Sequence, residues 1–421
     1  MLRSWLLPAL FTPVLLVLLW GDTFALYVGA AGDGFQARYY PPPTAEAGPH
    51  VVRVLSSRQV VPSRGLPAGT AVQTANNNLD AIRHSDGRVY LAWRTAPDHF
   101  ASAKTVLQVV SSSDEQHWKL ERRFAVGSDL REPRLLSLEG SLFLYMTQLG
   151  RNRWAFEPHD TLLSEKPAGG SFSDPKTFGL AGSVVWRTRM ENGHPYMVAY
   201  RGGENIYRFN GKPLHVDLLT TRDGRSWRPV DAKRRSVYVG GGSEADFTLD
   251  DQGDLHAVIR NEAGDETGFG SKICSAPKDR LSAWSCHSDN RKFDSPYVFK
   301  KNGQVYAVAR RNISENGYYD MAGPFHLFKS IRNQLNYITT GKRCAIWRFV
   351  PGKNQLNFVL DLPSRGDTCF PSVIDDPSSD KVTIYDYSSP ITGADPPWSV
   401  GQRKPTYIYR HEVQFARAQP N

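Results

Sequence analysis

The chain has 421 residues, of which 40% are hydrophobic and 22% charged, with 35 glycines and 28 prolines. This composition is typical of a turn-rich globular protein and argues against a disordered chain. The formal net charge of +9 favours an anionic partner in general, but lysines and arginines are spread along the chain without a long basic run, so no nucleic-acid partner is expected.

Residues 1–31 have the layout of a targeting segment. A positive start at Arg3 precedes an apolar run from Trp5 to Trp20, and small residues follow in VGAAG, which suits a cleavage site. Three residues interrupt the span: Pro8, Pro13 and Asp22. We therefore favour a cleaved signal peptide over a retained signal anchor, which needs about 20 apolar residues. In both cases the folded part is expected across the membrane: secreted, periplasmic, or extracytoplasmic and membrane-anchored.

The next stretch, residues 32–50, contains YYPPPTAEAGPH and is interpreted as a stiff Pro-rich linker. Residues 51–421 then carry one repeated unit: an apolar strand that begins with a polar residue, a tight turn, and a second strand of the pattern hYhhhR. The unit occurs six times: LDAIRHSDGRVYLAWRTA, REPRLLSLEGSLFLYMTQ, VVWRTRMENGHPYMVAYRG, EADFTLDDQGDLHAVIRN, DSPYVFKKNGQVYAVARRN and FPSVIDDPSSDKVTIYDYS.

The turn residues of the first five units recur about every 50 to 60 positions: Gly87, Gly140, Gly193, Gly253 and Gly303. That period is typical of a four-stranded propeller blade with its loops. We therefore predict an all-β fold, a six-bladed β-propeller of four-stranded antiparallel blades. Only PTYIYRHEVQF follows the sixth unit, so the N-terminal strand HVVRVLSSRQVV is expected to complete that blade and close the ring.

Two outer turns, SSDEQHW (Ser112, Asp114, Trp118) and TRDGRSW (Thr221, Asp223, Trp227), resemble the Asp-box turn of sialidase-type propellers. Their aspartates are expected to accept backbone N–H groups within the turn, which is a structural role.

Four cysteines in an oxidising compartment predict two disulfides, and of the three possible pairings we favour Cys274–Cys286 with Cys344–Cys369. The cysteines do not have metal-ligand spacing, and no metal or other cofactor is expected.

Charged and amide residues recur where each first strand begins and each second strand ends. In a propeller these two points lie on one rim of the channel. At the beginnings stand Asn77, Asn78, Asp80, Arg131, Glu132, Glu244, Asp246 and Asp294; at the ends stand Arg94, Arg201, Arg260, Arg310, Arg311 and Asp386. Ion pairs between neighbouring blades are the structural explanation. A ring of guanidinium groups around one concave site instead indicates an anionic or polyhydroxylated ligand.

At this rim the chain resembles the sialidase (neuraminidase) superfamily. Glu244 and Arg260, sixteen residues apart across one hairpin, are similar to the Glu that polarises the family's Tyr nucleophile and to an Arg that holds the substrate carboxylate. The resemblance also implies that Asp98, in RTAPDHFAS, is the acid/base residue. Two departures stand beside it: NNNLD replaces the first Arg-Ile-Pro signature, and DTCFPSV offers Phe370 and Pro371 near the expected nucleophile.

We therefore predict an exported, sialidase-like glycoside hydrolase that acts on an anionic or other glycan at the channel mouth. Without the Tyr, two carboxylates could perform the hydrolysis. The predicted catalytic residues are Glu244, Asp98, Asp80 and Asp246, and the predicted substrate-binding residues are Arg94, Arg201, Arg260, Arg310, Asn77 and Asn78. The alternative is a non-catalytic propeller that binds a glycan or a protein on the same rim.

Asn312, in NIS, is a glycosylation acceptor if the host is eukaryotic.

Overall fold

The computed structural model describes residues 40–153, 158–202, 212–319 and 325–418, and it shows six antiparallel sheets in a ring. The predicted all-β, six-bladed β-propeller is therefore confirmed. The predicted targeting segment, residues 1–31, lies outside the described residues, as does the first part of the predicted linker. None of the helices formed by the described residues combines the length and apolar character needed to cross a membrane.

Strands are numbered along the chain, and each blade is given from the channel outward. Blade 1 consists of β2 (Ala75–Arg83), β3 (Val89–Ala96), β4 (Val106–Ser112) and β5 (Lys119–Phe124). Blade 2 consists of β6 (Leu130–Leu138), β7 (Ser141–Gln148), β8 (Asp160–Lys166) and β9 (Lys176–Thr177). Blade 3 consists of β10 (Ser183–Glu191), β11 (His194–Arg201), β12 (Leu214–Thr221), β13 (Trp227–Pro229) and β14 (Ser236–Gly240).

Blade 4 consists of β15 (Gly242–Leu249), β16 (Leu255–Asn261), β17 (Lys272–Ala276) and β18 (Ser285–Ser288). Blade 5 consists of β19 (Asp294–Lys301), β20 (Gln304–Ile313), β21 (Gly341–Phe349) and β22 (Leu356–Asp361). Blade 6 consists of β23 (Ser372–Asp375), β24 (Lys381–Ser388), β25 (Tyr407–Arg417) and β1 (His50–Val61). Helix α1 (His326–Thr339) precedes β21, and the short helix α2 (Trp398–Gly401) precedes β25.

Each predicted hairpin forms the two innermost strands of a blade. The turn glycines have φ values between +77° and +88°: Gly87, Gly140, Gly193, Gly253 and Gly303. Glycine adopts this conformation without the steric cost of a Cβ atom, which is why the residue recurs at the same point of five repeats. The apolar strands of the hairpins are buried in the interfaces between blades and supply most of the core.

The N-terminal strand closes the ring as predicted. β1 pairs antiparallel with β25, from His50 opposite Arg417 to Val61 opposite Ile408, and becomes the outermost strand of blade 6. The first and last strands of the propeller thus share one sheet. This pairing ties the two ends of the folded region together and covers an edge that would otherwise be open.

β-Bulges re-aim the side chains where inner strands reach the channel rim. The pairing register shifts between Asn77 and Leu79 in β2 and between Arg131 and Arg134 in β6. A third shift lies near the start of β19. The bulged residues Asn78, Glu132 and Ser295 have φ values of +44°, +52° and +49°. An extra residue in one strand bends it and redirects a side chain, and all three of these residues line the cavity described below.

The outer turns have the predicted structural role. Asp114 Oδ1 accepts the N–H groups of Gln116 and His117, both at 2.8 Å. Asp223 Oδ1 accepts those of Arg225 and Ser226 at 2.8 and 2.7 Å, and these backbone bonds lower the pKa of Asp223 to about 2.

The cysteines form the two disulfides that were predicted. Cys274–Cys286 joins β17 to β18 within blade 4, whereas Cys344–Cys369 joins β21 of blade 5 to the segment before blade 6.

Two features of the fold differ from the sequence expectation. Helix α1 precedes β21 in blade 5, and the turn-rich stretch NISENGYY ahead of it did not indicate a helix. The outer edge of β12 is shared by two short strands, β13 and β14.

Asn312, the predicted glycosylation acceptor, is buried: the residue is 3% exposed and its Oδ1 accepts a hydrogen bond from Lys342 Nζ at 2.9 Å. The folded chain therefore does not present this sequon.

Candidate functional site

A cavity of about 360 Å³ opens at the channel mouth, on the rim where the first strands begin. The inner strands, the loop after β3 and both helices contribute to its wall. Its polar lining is Asn78, His99, Arg131, Glu132, Arg153, Glu244, Arg260, Glu262, Ser295, Arg310, Gln334 and Gln402, and its apolar lining is Phe100, Ile338, Phe370, Tyr387 and Trp398. The structure therefore brings acids, arginines and aromatic rings from separate blades into one enclosure.

Glu244 and Arg260 are neighbours in this cavity. Arg260 Nη1 lies 2.5 Å from Glu244 Oε1, and Glu244 Oε2 accepts the backbone N–H of Ser295 at 2.7 Å. Arg260 also contacts Glu262 and Asp294, at 2.5 and 3.4 Å. One guanidinium group thus contacts three carboxylates, so the positive charge of Arg260 is already engaged by acids of the protein itself.

Glu132 is the second acid of the cavity, and its surroundings differ. Its side chain is 10% exposed, Oε1 accepts a hydrogen bond from Asn78 Nδ2 at 3.1 Å, and Arg134 lies 3.8 Å from Oε2. Burial, opposed by Arg134 and Arg131 and reinforced by Glu244, raises the pKa of Glu132 to about 7. Among the described residues Oε2 has no hydrogen-bond partner, so Glu132 combines a pKa near neutral with a place in the cavity lining.

Asp98, the acid/base residue implied by the resemblance, is displaced from this site. Its Oδ1 accepts the N–H of Phe100 at 2.9 Å within the loop, and Arg153 is 3.7 Å from its other oxygen. The next residue, His99, lines the cavity in its place. A loop aspartate that caps the backbone two residues later is a turn former, so the placement of Asp98 does not add support to the predicted acid/base role.

Asp80 and Asp246 are also outside the cavity lining. Asp80 Oδ2 accepts the N–H of Leu135 at 2.8 Å, and Asp246 Oδ2 accepts that of Val298 at 2.7 Å. Each carboxylate therefore joins its own inner strand to that of the next blade, while Arg187 lies within 3.5 Å of both. They form the buried ion-pair network that was the structural explanation for the rim charges, and the placement does not support a catalytic role for them.

The predicted binding residues divide into two groups. Asn78, Arg260 and Arg310 line the cavity, whereas Arg94, Arg201 and Asn77 do not. Arg94 is fully buried and bound to Asp129 at 2.8 Å, and Asn77 Oδ1 accepts from its guanidinium group at 3.1 Å.

The remaining arginines are engaged by the protein as well. Arg201 binds Asp217 at 3.0 Å beside a separate cavity on blade 3. Arg310 donates to the carbonyls of Thr368 and Cys369 and to the Tyr337 hydroxyl. The sequence therefore located guanidinium groups at the rim, but it did not show that internal acceptors already bind them.

Aromatic rings form much of the apolar surface. Phe370 lines the cavity, and its ring centroid lies 4.5 Å from the buried guanidinium carbon of Arg134. Tyr387 donates its hydroxyl to Asp367 at 2.9 Å, and Trp398 of α2 donates its indole N–H to the same carboxylate oxygen at 3.0 Å. Flat apolar faces beside hydrogen-bonding groups are suited to sugar rings.

Sequence reasoning missed the contact between His99 and Asp367. Asp367 comes from the segment before blade 6, and its Oδ2 lies 2.7 Å from His99 Nδ1. The residue types alone give no signal for this pair, because 268 positions separate them. Glu132 stood among the acids of the rim, but its burial depends on the bulge in β6.

One group of possible metal ligands occurs among the described residues, namely Cys344, Cys369 and Asp386. Its two sulfurs form a disulfide, so they are not thiolate ligands.

No protein-family model matches the chain, and no curated protein sequence matches it. Solved structures do match. A protein of unknown function from Dyadobacter fermentans is similar with a TM-score of 0.58 and 14% identity, over 86% of this chain and 99% of that one. The Trypanosoma rangeli sialidase in complex with the inhibitor DANA is similar with a TM-score of 0.56 and 12% identity, over 86% and 60%.

A third similar structure, the phage phi92 endosialidase, has a TM-score of 0.52 and 10% identity over 89% of this chain and 70% of that one. This chain spans only about 60% of the length of the trypanosomal sialidase. At such identities the comparison concerns backbone geometry alone, since side chains at corresponding positions are mostly different. The chain shares the six-bladed propeller fold of these sialidases.

Proposed function

We propose that this protein is a glycoside hydrolase whose active site is the cavity at the channel mouth, with Glu132 as the proton donor. The observation that carries the proposal is the pair of acids that line one cavity in different surroundings. Glu132 is buried and retains its proton near neutral pH, while Glu244 forms an ion pair with Arg260. Two carboxyl groups with opposite protonation are what glycosidic bond cleavage requires.

Glu132 would protonate the leaving oxygen of the glycosidic bond. As that bond breaks, positive charge develops on the sugar ring, and the carboxylate of Glu244 would stabilise it. Arg260 and the N–H of Ser295 keep Glu244 in a fixed orientation, so no reorganisation is needed during the reaction. No tyrosine nucleophile is required by this scheme.

The ligand of this cavity is proposed to be a glycan end with little or no charge. Arg260 is paired with carboxylates, and Arg310 uses its N–H groups on carbonyls and a hydroxyl, which leaves few free donors for an anionic sugar. Arg153 is the most exposed guanidinium group of the rim, with 57% of its side chain accessible.

Export is proposed together with hydrolysis, and the two disulfides support it.

Turnover on a panel of glycosides tests the function. The panel contains fluorogenic hexosides, pentosides, uronides and a sialoside, with natural oligosaccharides beside them. Glu132→Gln is expected to lower kcat/KM on substrates with poor leaving groups by about 10²- to 10⁴-fold, because the proton donor is lost. Glu244→Gln is expected to lower it on all substrates.

Glu165→Gln is the control, since Glu165 pairs with Arg225 at the outer side of the propeller and away from the cavity lining. Full activity in Glu132→Gln would remove this residue from the chemistry. Glycan binding without sugar release from any substrate would favour the alternative, a carbohydrate-binding propeller.

A further inference from the structure

We propose that His99, oriented by Asp367, is the general base that activates the attacking water, so that hydrolysis inverts the anomeric configuration. This inference rests on the proposed hydrolase function and specifies its mechanism. It assigns the water-activating role to an imidazole rather than to a second carboxylate. The geometry of the His99–Asp367 pair carries it.

The imidazole is held in one tautomer. His99 Nδ1 lies 2.7 Å from Asp367 Oδ2, a distance at which the nitrogen must carry the proton that joins it to the carboxylate. The amide nitrogen of Asn77 is 3.2 Å from the same atom, and it cannot donate to a nitrogen that is already protonated. Within the described part of the chain both polar contacts of the ring are on Nδ1, so the Nδ1-protonated tautomer leaves Nε2 as the acceptor for a water molecule.

Asp367 is held in place by contacts other than the one with His99. The carboxylate is completely buried, and its other oxygen accepts the Tyr387 hydroxyl at 2.9 Å and the Trp398 indole N–H at 3.0 Å. Burial by itself opposes ionisation, but the hydrogen bonds from His99 and Tyr387 and the nearby charge of Arg310 lower the pKa of Asp367. A buried carboxylate with donors on both oxygens is the arrangement that orients a catalytic imidazole.

The backbone of His99 is anchored on both sides. Its N–H donates to the Gln402 carbonyl at 3.1 Å, and its own carbonyl accepts Arg131 Nη2 at 3.1 Å. The ring then packs against the edge of Trp398, with centroids 6.0 Å apart. These contacts involve residues from blade 2 and α2, so the imidazole is positioned by elements that surround the cavity.

The proposed step is balanced in atoms and charge. The water oxygen attacks the anomeric carbon while His99 Nε2 takes one proton from the water, and the bond between the anomeric carbon and the leaving oxygen breaks as Glu132 transfers its proton to that oxygen. The products are a hemiacetal sugar of inverted configuration and a free alcohol. Loss of the imidazolium proton to solvent and uptake of a proton by Glu132 restore the enzyme.

The experiment has two arms. In the first, the anomer released by the full-length protein is identified by ¹H NMR, and kcat/KM is measured on a natural-type glycoside and on the matching glycosyl fluoride, whose leaving group needs little protonation. His99→Gln is expected to lose about 10²- to 10⁴-fold on both substrates, whereas Glu132→Gln recovers on the fluoride. Asp367→Asn is expected to lower kcat with KM unchanged, as befits a positioning residue.

In the second arm, ¹⁵N NMR reports the tautomer of His99 without any substrate. The wild-type ring is expected to be protonated on Nδ1, and Asp367→Asn is expected to remove that preference. His256→Gln and Asp250→Asn are matched controls, because His256 and Asp250 form another histidine–aspartate pair, 2.9 Å apart and outside the cavity lining.

Retention of the anomeric configuration would overturn the assignment, and so would an Nε2-protonated tautomer or full activity in His99→Gln. An inactive wild-type protein would instead overturn the hydrolase function, and the tautomer arm would then decide whether the pair exists.

Discussion

Glu132 and Glu244 face one cavity from different blades, and their nearest cations lie at different distances. Arg260 is 2.5 Å from Glu244, whereas Arg134 is 3.8 Å from Glu132. An ion pair favours the charged form of a carboxyl group and burial disfavours it, and burial raises the pKa of Glu132 to about 7. One cavity therefore contains an ion-paired acid and a second acid whose pKa is close to neutral.

The first prediction concerns the pH dependence of turnover. If Glu132 is the proton donor, kcat/KM on a substrate with a poor leaving group should fall as the pH rises through about 7, where Glu132 loses its proton. The fall should be absent with an activated leaving group, because that group departs without the acid. Initial rates between pH 5 and 9 test this. The same fall with both substrates would assign it to another residue.

The second prediction concerns stability. Glu132 has a pKa of about 7 in the folded chain against an ordinary value of 4.5, so between these pH values only the folded state keeps the proton. The free energy of unfolding should therefore decrease as the pH rises through this window. Glu132→Gln cannot ionise, so its Tm relative to wild type should increase from pH 4.5 to pH 7.5. A constant difference measured by calorimetry would contradict the raised pKa.

The third prediction concerns Arg260, which balances Glu244, Glu262 and Asp294. Arg260→Met leaves buried carboxylates without their partner, and we expect the free energy of unfolding to decrease by about 3–5 kcal/mol. Arg201→Met is the control, since this pair with Asp217 is partly exposed and should cost about 1 kcal/mol or less. Urea unfolding of both variants measures the difference. Equal losses of unfolding free energy would show that Arg260 stabilises the fold no more than the partly exposed Arg201.

The fourth prediction compares the two disulfides. Cys344–Cys369 closes a loop of 25 positions and lies two residues from Asp367. Replacing both cysteines with serine should lower the free energy of unfolding by about 3 kcal/mol and also reduce turnover. The corresponding Cys274 and Cys286 double variant alters a link between outer strands of blade 4, so it should lose stability but keep kcat. Equal effects on kcat would show that the first link does not position Asp367.

The repeated hairpin was sufficient to predict the fold. A glycine with positive φ between two apolar strands recurs at Gly87, Gly140 and Gly193, and the shortage of strands after the sixth unit predicted the contribution of β1. These are local requirements of turn geometry and of sheet edges, so they are visible in the amino-acid sequence. Helix α1 was missed because its apolar residues follow the turn-rich stretch NISENGYY.

The candidate site, like the fold, could be predicted from the sequence only in part. By itself the sequence determined six blades, the rim on which their charges meet, and the hairpin that makes Glu244 and Arg260 neighbours. Only the tertiary structure decided that Asp80 and Asp246 join blades, that Asp98 caps its own loop, and that His99 meets Asp367 from the opposite end of the chain. The reason is physical: a pKa or a hydrogen bond depends on burial and on partners that closure of the ring brings together, and these partners are distant in the sequence.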